Sequence, residues 1–265
     1  VRKLLTSSIV LVAVLAGCAA TSTPAERPAE SSALPRLKPA VLEVLPHDPA
    51  AFTQGLEFAG ATLYEGTGLT GRSVVQAGPA GQAPSVRAAL PSELFGEGLT
   101  VVGPTLWQLT WQNGFAIERD ASTLAERRRV PYSGEGWGLC HQAASNRLIM
   151  SNGSDKLTFR DPRTFAETGS VTVHSGTQTF GELNELECVG DEVYANVWQT
   201  DTILRIDAAT GSVTATVDAA GLLSAGEKGS ADVLNGIAAV PGTDQLLLTG
   251  KLWPKMFKVR LVPAP

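Results

Sequence analysis

Short apolar runs, punctuated by Gly, Asp and Pro, recur along the chain and fall into five repeats. One run begins at LYEGTG from position 63, LWQLTW from 106, LIMSNG from 148, VYANVW from 193 and LLLTGK from 246, in steps of 43, 42, 45 and 53 residues. A second run precedes each: TQGLEF at 53, GEGLTVV at 96, GEGWGL at 134, LNELECV at 183 and LNGIAAV at 234. The middle repeats add a further strand and a turn such as ERDASTL, FRDPRTF or RIDAATG. Runs this short, bounded by turn residues, read as strands rather than helices. Four strands in about 43 residues is the period of a propeller blade. The last repeat supplies only three strands, IAAV, LLLTG and MFKVRLV. VLEVLP at 41–46 is expected to complete it, pinning the chain ends together and removing an exposed edge. The pattern predicts an all-β, five-bladed β-propeller over residues 41–265, with an N-terminal strand completing the last blade. An insertion in the fourth repeat, LLSAGEKGSAD, predicts a loop over one face.

Superposing the repeats brings polar residues to equivalent stations. Gln54, Glu97, Glu135, Asn184 and Asn235 stand at the head of the first strand of each blade. First strands line a propeller's axis, so these five predict a polar ring at one mouth of the channel. Any one of them alone would read as a loop residue bonding local backbone. Gly68, Trp111, Gly153, Trp198 and Lys251 occupy a second shared station, at the end of the following strand. Trp137 adds a third indole. The expectation is a pocket with aromatic walls, carboxylates and one lysine, the usual profile of a small-ligand site. Trp253 and Pro254, just past Lys251, are expected to turn the chain rather than shape the rim.

Composition removes several alternatives. The 265-residue chain is 43% hydrophobic and 18% charged with a net charge of −5, and Arg127–Arg129 is its only basic run, so nucleic acid is not an expected partner. His47, His141 and His174 lie far apart in sequence without metal-ligand spacing, which argues against a catalytic zinc and against a metal-dependent propeller hydrolase. SNGSD at 151–155 reads as a polar turn rather than a calcium loop, and there is no GxSxG, P-loop or GxGxxG signature. A structural cation on the axis stays open, as does pairing of Cys140 with Cys188, which depends on their separation.

The first 18 residues read as a targeting segment: Arg2 and Lys3, an apolar stretch too short to span a bilayer, then Leu15-Ala16-Gly17-Cys18. This ending resembles a bacterial lipobox, which implies lipidation of Cys18 and a protein held on the periplasmic side of a bacterial membrane. Ala19 favours the outer over the inner membrane by the same resemblance, and Val1 reads as a translated alternative start codon. Residues 19–40, rich in Pro, Ala and Ser, are expected to form a flexible tether.

FTQGLEF, LYEGTG, FGEGLT, GEGWGL, LNELE, NVWQTD, DVLNGIA and TGKLWPKMF together resemble the plant- and bacterial-type glutaminyl-peptide cyclotransferases, five-bladed propellers that need no metal. The resemblance runs from about Pro46 to Val262 and is weakest over residues 58–92. It implies that Glu97 is the catalytic general acid and base, with Asn184 and Lys251 as further catalytic residues. Phe52, Gln54, Trp111, Trp137 and Trp198 would line the substrate pocket. The implied reaction turns the N-terminal glutamine of a peptide into pyroglutamate with loss of ammonia and without a cofactor. Peptides or proteins with N-terminal Gln are the expected partners, and a monomer is expected. The competing expectation is a non-catalytic propeller lipoprotein that binds peptides or scaffolds a complex.

Overall fold

The computed structural model describes residues 34–224 and 226–265, besides Val1. Cys18 and the expected leader and most of the tether lie outside these. The described chain is all-β, with no helix among the described residues.

β1 spans Arg36–Pro46. A four-stranded antiparallel sheet follows, β2–β5 over Thr53–Ala59, Thr62–Thr67, Val74–Gly78 and Val86–Ala89. The next sheet is β6–β9, over Gly96–Val102, Thr105–Thr110, Phe115–Asp120 and Glu126–Pro131. β10–β13 form the third, over Leu139–Gln142, Arg147–Met150, Lys156–Arg160 and Glu167–Thr172. A small hairpin, β14 (His174–Ser175) and β15 (Gln178–Thr179), leads on. β16–β19 cover Leu183–Val189, Glu192–Val197, Thr202–Asp207 and Val213–Asp218, and β20–β22 cover Leu234–Ala239, Gln245–Gly250 and Lys255–Pro263. These last seven strands and β1 make one sheet in the order β16-β17-β18-β19-β1-β22-β21-β20.

β1 pairs antiparallel with β22, from Leu37 opposite Pro263 to Pro46 opposite Lys255. It therefore begins at Arg36, not at 41, and Arg36–Ala40 belong to the strand rather than to the tether expected over 19–40. The cause is the length of β22: its last residues extend the hydrogen-bonding edge, and Leu37, opposite Val217 of β19, packs against the apolar cluster of the last two repeats. At Arg36 and Leu37, β1 also pairs parallel with β19, which joins the two groups of strands.

The sheets are built alike because their turns are. Asp120, Asp161 and Asp207 each accept hydrogen bonds at Oδ1 from two backbone N–H groups and from the hydroxyl of a Thr three residues on. Leu124 and Phe165, one residue past those threonines, sit at φ 60° and 61°. A left-handed backbone disfavours such residues, but both side chains are buried in the core, which offsets the strain.

Inner strands are buried almost throughout, and outer strands such as β9 and β13 are largely exposed. Apolar clusters fill the spaces between successive sheets. Trp107 and Leu109 meet Leu139 and Leu148, and Leu56 and Leu63 of the first sheet meet Leu247 and Met256 near the end of the chain. The inner strands β2, β6, β10, β16 and β20 each pack on two others, β2 lying between β6 and β20. Glycine permits this approach: a Cβ on Gly138 would stand 2.1 Å from the Asn184 carbonyl oxygen, and one on Gly98 2.7 Å from that of Trp137. Cys140 on β10 and Cys188 on β16 form a disulfide, with Cα atoms 5.4 Å apart and a sequence separation of 48. Closing a loop of that length constrains the unfolded chain by about 4 kcal/mol in the chain-entropy description.

Candidate active site

At one end of the inner strands lies a recess of about 350 Å³. Phe52, Gln54, Glu97, Trp111, Trp137, Asn184, Trp198 and Lys251 all line it, so the eight residues that the family resemblance implies come to one place, whereas Glu135 and Asn235 of the expected polar ring do not line it. Phe95, Gln199, Asp232 and Val233 complete the lining. A larger recess, about 570 Å³, lies against the first sheet beside Arg72 and Arg87 but gathers no comparable set of convergent groups.

The floor comes from the heads of the inner strands. Gln54, Glu97, Asn184 and Asn235 hold equivalent places in β2, β6, β16 and β20, each followed by a residue packed at the centre. In the third sheet that place belongs to Trp137, not to Glu135 as the repeat alignment expects. β10 begins only at Leu139, and Gly138 is the glycine that meets the next inner strand. Glu135 lies outside the ring and does different work. Its Oε2 accepts from Trp111 Nε1 at 2.8 Å and from Trp137 Nε1 at 3.0 Å, so one carboxylate fixes two indole walls. Burial would raise its pKa, but these bonds and one from Gln112 hold it below the ordinary range.

Aromatic rings form the walls. Trp137 meets Trp198 edge to face at 5.5 Å, and Phe95 bridges Phe52 and Trp111 at 6.2 and 5.4 Å. The glycines at the second shared station make room for them: a Cβ on Gly68 would strike the Phe95 ring, and one on Gly153 the Trp137 ring. Trp111 and Trp198 are 36% exposed and mark the mouth. Phe95 is absent from the sequence-derived set although it directly precedes the Gly-Glu-Gly of the second repeat. Asp232 lies in the loop inserted before β20, and Gln199 directly follows Trp198 as Gln112 follows Trp111.

Glu97 is 4% exposed. Asn235 Nδ2 donates to Gln54 Oε1 at 3.3 Å, and Gln54 Nε2 donates to Glu97 Oε1 at 3.0 Å, a relay that orients the carboxyl. Glu97 Oε2 and Asn184 Oδ1 are buried without a partner. Burial pushes the Glu97 pKa well above the carboxylate range, Glu135 adds to the rise, and the attraction of Lys251 falls short of reversing it. Lys251, also 4% exposed, has its Nζ 4.9 Å from the Phe52 ring centroid. Burial lowers its pKa against the pull of Glu97 and Asp232. Desolvation thus outweighs mutual attraction at both groups, raising the Glu97 pKa and lowering that of Lys251.

Lys251 is held by its backbone. Its N–H donates to Val233 O at 2.9 Å and its carbonyl accepts from Asp232 N at 2.8 Å. The next turn is anchored by Trp253, a buried residue whose indole covers Gly250 and donates to Asp232 O at 2.8 Å. His47 Nδ1 donates to the Trp253 carbonyl at 2.7 Å, and its Nε2 to Glu65 Oε1 at 2.9 Å. Thr53 and Gln76 also donate to Glu65. Burial lowers the His47 pKa, but Glu65 and the Trp253 carbonyl together leave it above 6.5. Burial raises Glu65, but His47, Thr53 and Gln76 together leave it below 4.5. His47 therefore contributes fully below pH 6.5 and loses its contribution as pH rises through its folded pKa. Glu65 contributes fully above pH 4.5 and loses it as pH falls through its folded pKa. The melting-temperature advantage of the native chain over Glu65→Gln is expected to plateau between these values and shrink on both sides. An advantage flat in pH would show that the pair stabilises by packing alone.

Among the described residues no group of three His, Cys, Asp or Glu side chains is placed to hold a metal ion. A buried carboxylic acid and a buried lysine facing one aromatic-walled recess define a small-ligand site equipped to move a proton, set on an all-β frame. The chain belongs to the glutamine cyclotransferase family, whose family model matches residues 9–261. It is 38% identical over 232 residues to the glutaminyl-peptide cyclotransferase of Arabidopsis thaliana, covering 84% of this chain and 71% of that one. The crystal structure of Myxococcus xanthus glutaminyl cyclase superposes with a TM-score of 0.77 at 37% identity, covering 88% of this chain and all of that one.

Proposed function

We propose that this protein is a glutaminyl-peptide cyclotransferase, converting the N-terminal glutamine of a peptide into pyroglutamate with release of ammonia, on a five-bladed propeller frame. The observation that carries the reading is the convergence of Glu97, Lys251 and Asn184 with the aromatic walls in one recess, in a chain of this family. Repeated four-stranded sheets, with inner strands packed on one another in turn, support the propeller.

Ring closure forms a bond from the α-nitrogen to the side-chain carboxamide carbon and breaks the bond from that carbon to the amide nitrogen. Both partners sit on one residue, so catalysis begins with holding the rotamer that brings them together, a task for rigid indole walls. The α-amine loses one proton and the departing nitrogen gains one. A free α-amine has a pKa of roughly 7.7–8.0, so a neutral amine is available near neutral pH, and burial favours the protonated form of Glu97. Glu97 gives its proton to the departing nitrogen and takes one back from the new ring nitrogen, which closes the balance. Lys251 faces the negative charge that develops on the carboxamide oxygen, with Asn184 as the second polar group beside it.

The test is ammonia release from a Gln-peptide by the full-length protein, with and without EDTA. Release at the same rate in both is the expected result. No release from any Gln-peptide would sink the activity, and loss with EDTA would sink its metal independence. The sequence of residues 1–18 supports placing the protein on the periplasmic side of a bacterial membrane, outer rather than inner, through a lipid on Cys18.

A further inference from the structure

A glutamine bound with its side chain and α-amine in the recess has one way out for the rest of the peptide, through its α-carbonyl toward the mouth. A second recess of about 380 Å³ adjoins the first there, and Gln199, Asp232 and Val233 line both. Its floor is apolar, made by Leu223 and Trp253, which pack together and are buried. Its polar lining carries two carboxylates, Asp201 and Asp232, against one ammonium, Lys228.

The walls are fixed. Asp201 lies in the β17–β18 turn, where Thr200 Oγ1 donates to the Val197 carbonyl at 2.7 Å and accepts from Thr202 N at 3.1 Å. The segment after β19 is held by an ion pair between Glu227 and Lys255. Its return leg bonds the backbone of Lys251 through Asp232 and Val233. The second recess is therefore built onto the residue that faces the reacting amide.

We propose that this recess is the subsite for the residue following the N-terminal glutamine, and that it favours a long side chain with a cationic end. The proposal rests on the cyclotransferase reading. The stem of a Lys or Arg packs on Leu223 and Trp253 while its charged end meets Asp201 and Asp232, and a Glu in the same place meets like charge.

The experiment measures kcat/KM for Gln-X peptides with X as Lys, Arg, Leu, Ala and Glu, in the native protein and in Asp201→Asn. At low salt the Lys and Arg peptides are expected to exceed the Glu peptide by about tenfold, through KM rather than kcat. Added salt shrinks that ratio. Asp201→Asn, an isosteric change in a partly exposed turn, is expected to reduce the ratio severalfold and leave the Ala peptide untouched. A native protein indifferent to X, or a ratio that survives Asp201→Asn, overturns the subsite while the activity stands. Failure to turn over any of the five peptides counts against the cyclotransferase reading itself and takes the subsite with it.

Discussion

Glu97→Gln is expected to lower kcat for a Gln-peptide by about 10²–10⁴-fold, the usual worth of a positioned general acid and base, while the protein melts where the native one does. The two halves of this result have one cause. Burial favours the neutral form of Glu97, so an isosteric amide disturbs the buried charge less than it would in place of an ordinary ionised carboxylate. The amide oxygen still accepts from Gln54, and the relay from Asn235 persists. What disappears is the carboxyl proton that Glu97 gives to the departing nitrogen and takes back. The native pH–rate profile should be bell-shaped, because the productive complex holds one proton between Glu97 and the substrate amine, and its limbs belong to that pair. In the variant, the residual rate should follow the amine alone. Unchanged turnover would remove Glu97 from the mechanism. A large drop in melting temperature with little change in rate would mean that the carboxyl serves the fold.

The repeated pattern was readable because all the repeats share apolar strands of similar spacing and the three middle ones reuse an Asp-headed turn. The outline of the pocket followed, since residues at matching stations in repeats must share an end of the structure. The letters misled at GEGWGL, where Glu135 copies the setting of Glu97 in FGEGL. What decides the register is which glycine lets two inner strands touch, and the contact of Gly138 with the Asn184 carbonyl exists only between strands 46 residues apart in sequence. The disulfide was hidden for the same reason, because adjacency of β10 and β16 sets its distance. Asp232 reaches the recess from the loop inserted before β20, which no other repeat has, so superposing repeats gave no signal for it. The start of β1 at Arg36 depends on how far β22 runs at the other end of the chain.

Lys251→Met is expected to lower kcat/KM by about 10²–10³-fold, the cost of losing one donor aimed at a developing oxyanion, with stability unchanged or raised. In sequence Lys251 interrupts an apolar strand, and in the structure it stays buried despite the desolvation cost. Removing one member of a buried ion pair normally destabilises, because the other charge is stranded. Here burial already raises the pKa of the facing Glu97, which lessens the cost of losing its partner, and methionine keeps a side chain of similar length beside Phe52. Stability therefore gains the relief of not burying an ammonium. The substitution should also mark the pH profile, since Lys251 is the group that draws the Glu97 pKa down. Without it the limb governed by Glu97 moves to higher pH, which loss of a purely structural lysine would not produce. A variant that loses stability but keeps its rate and profile would make Lys251 a packing residue, and the charge facing the amide would have to come from elsewhere in the recess.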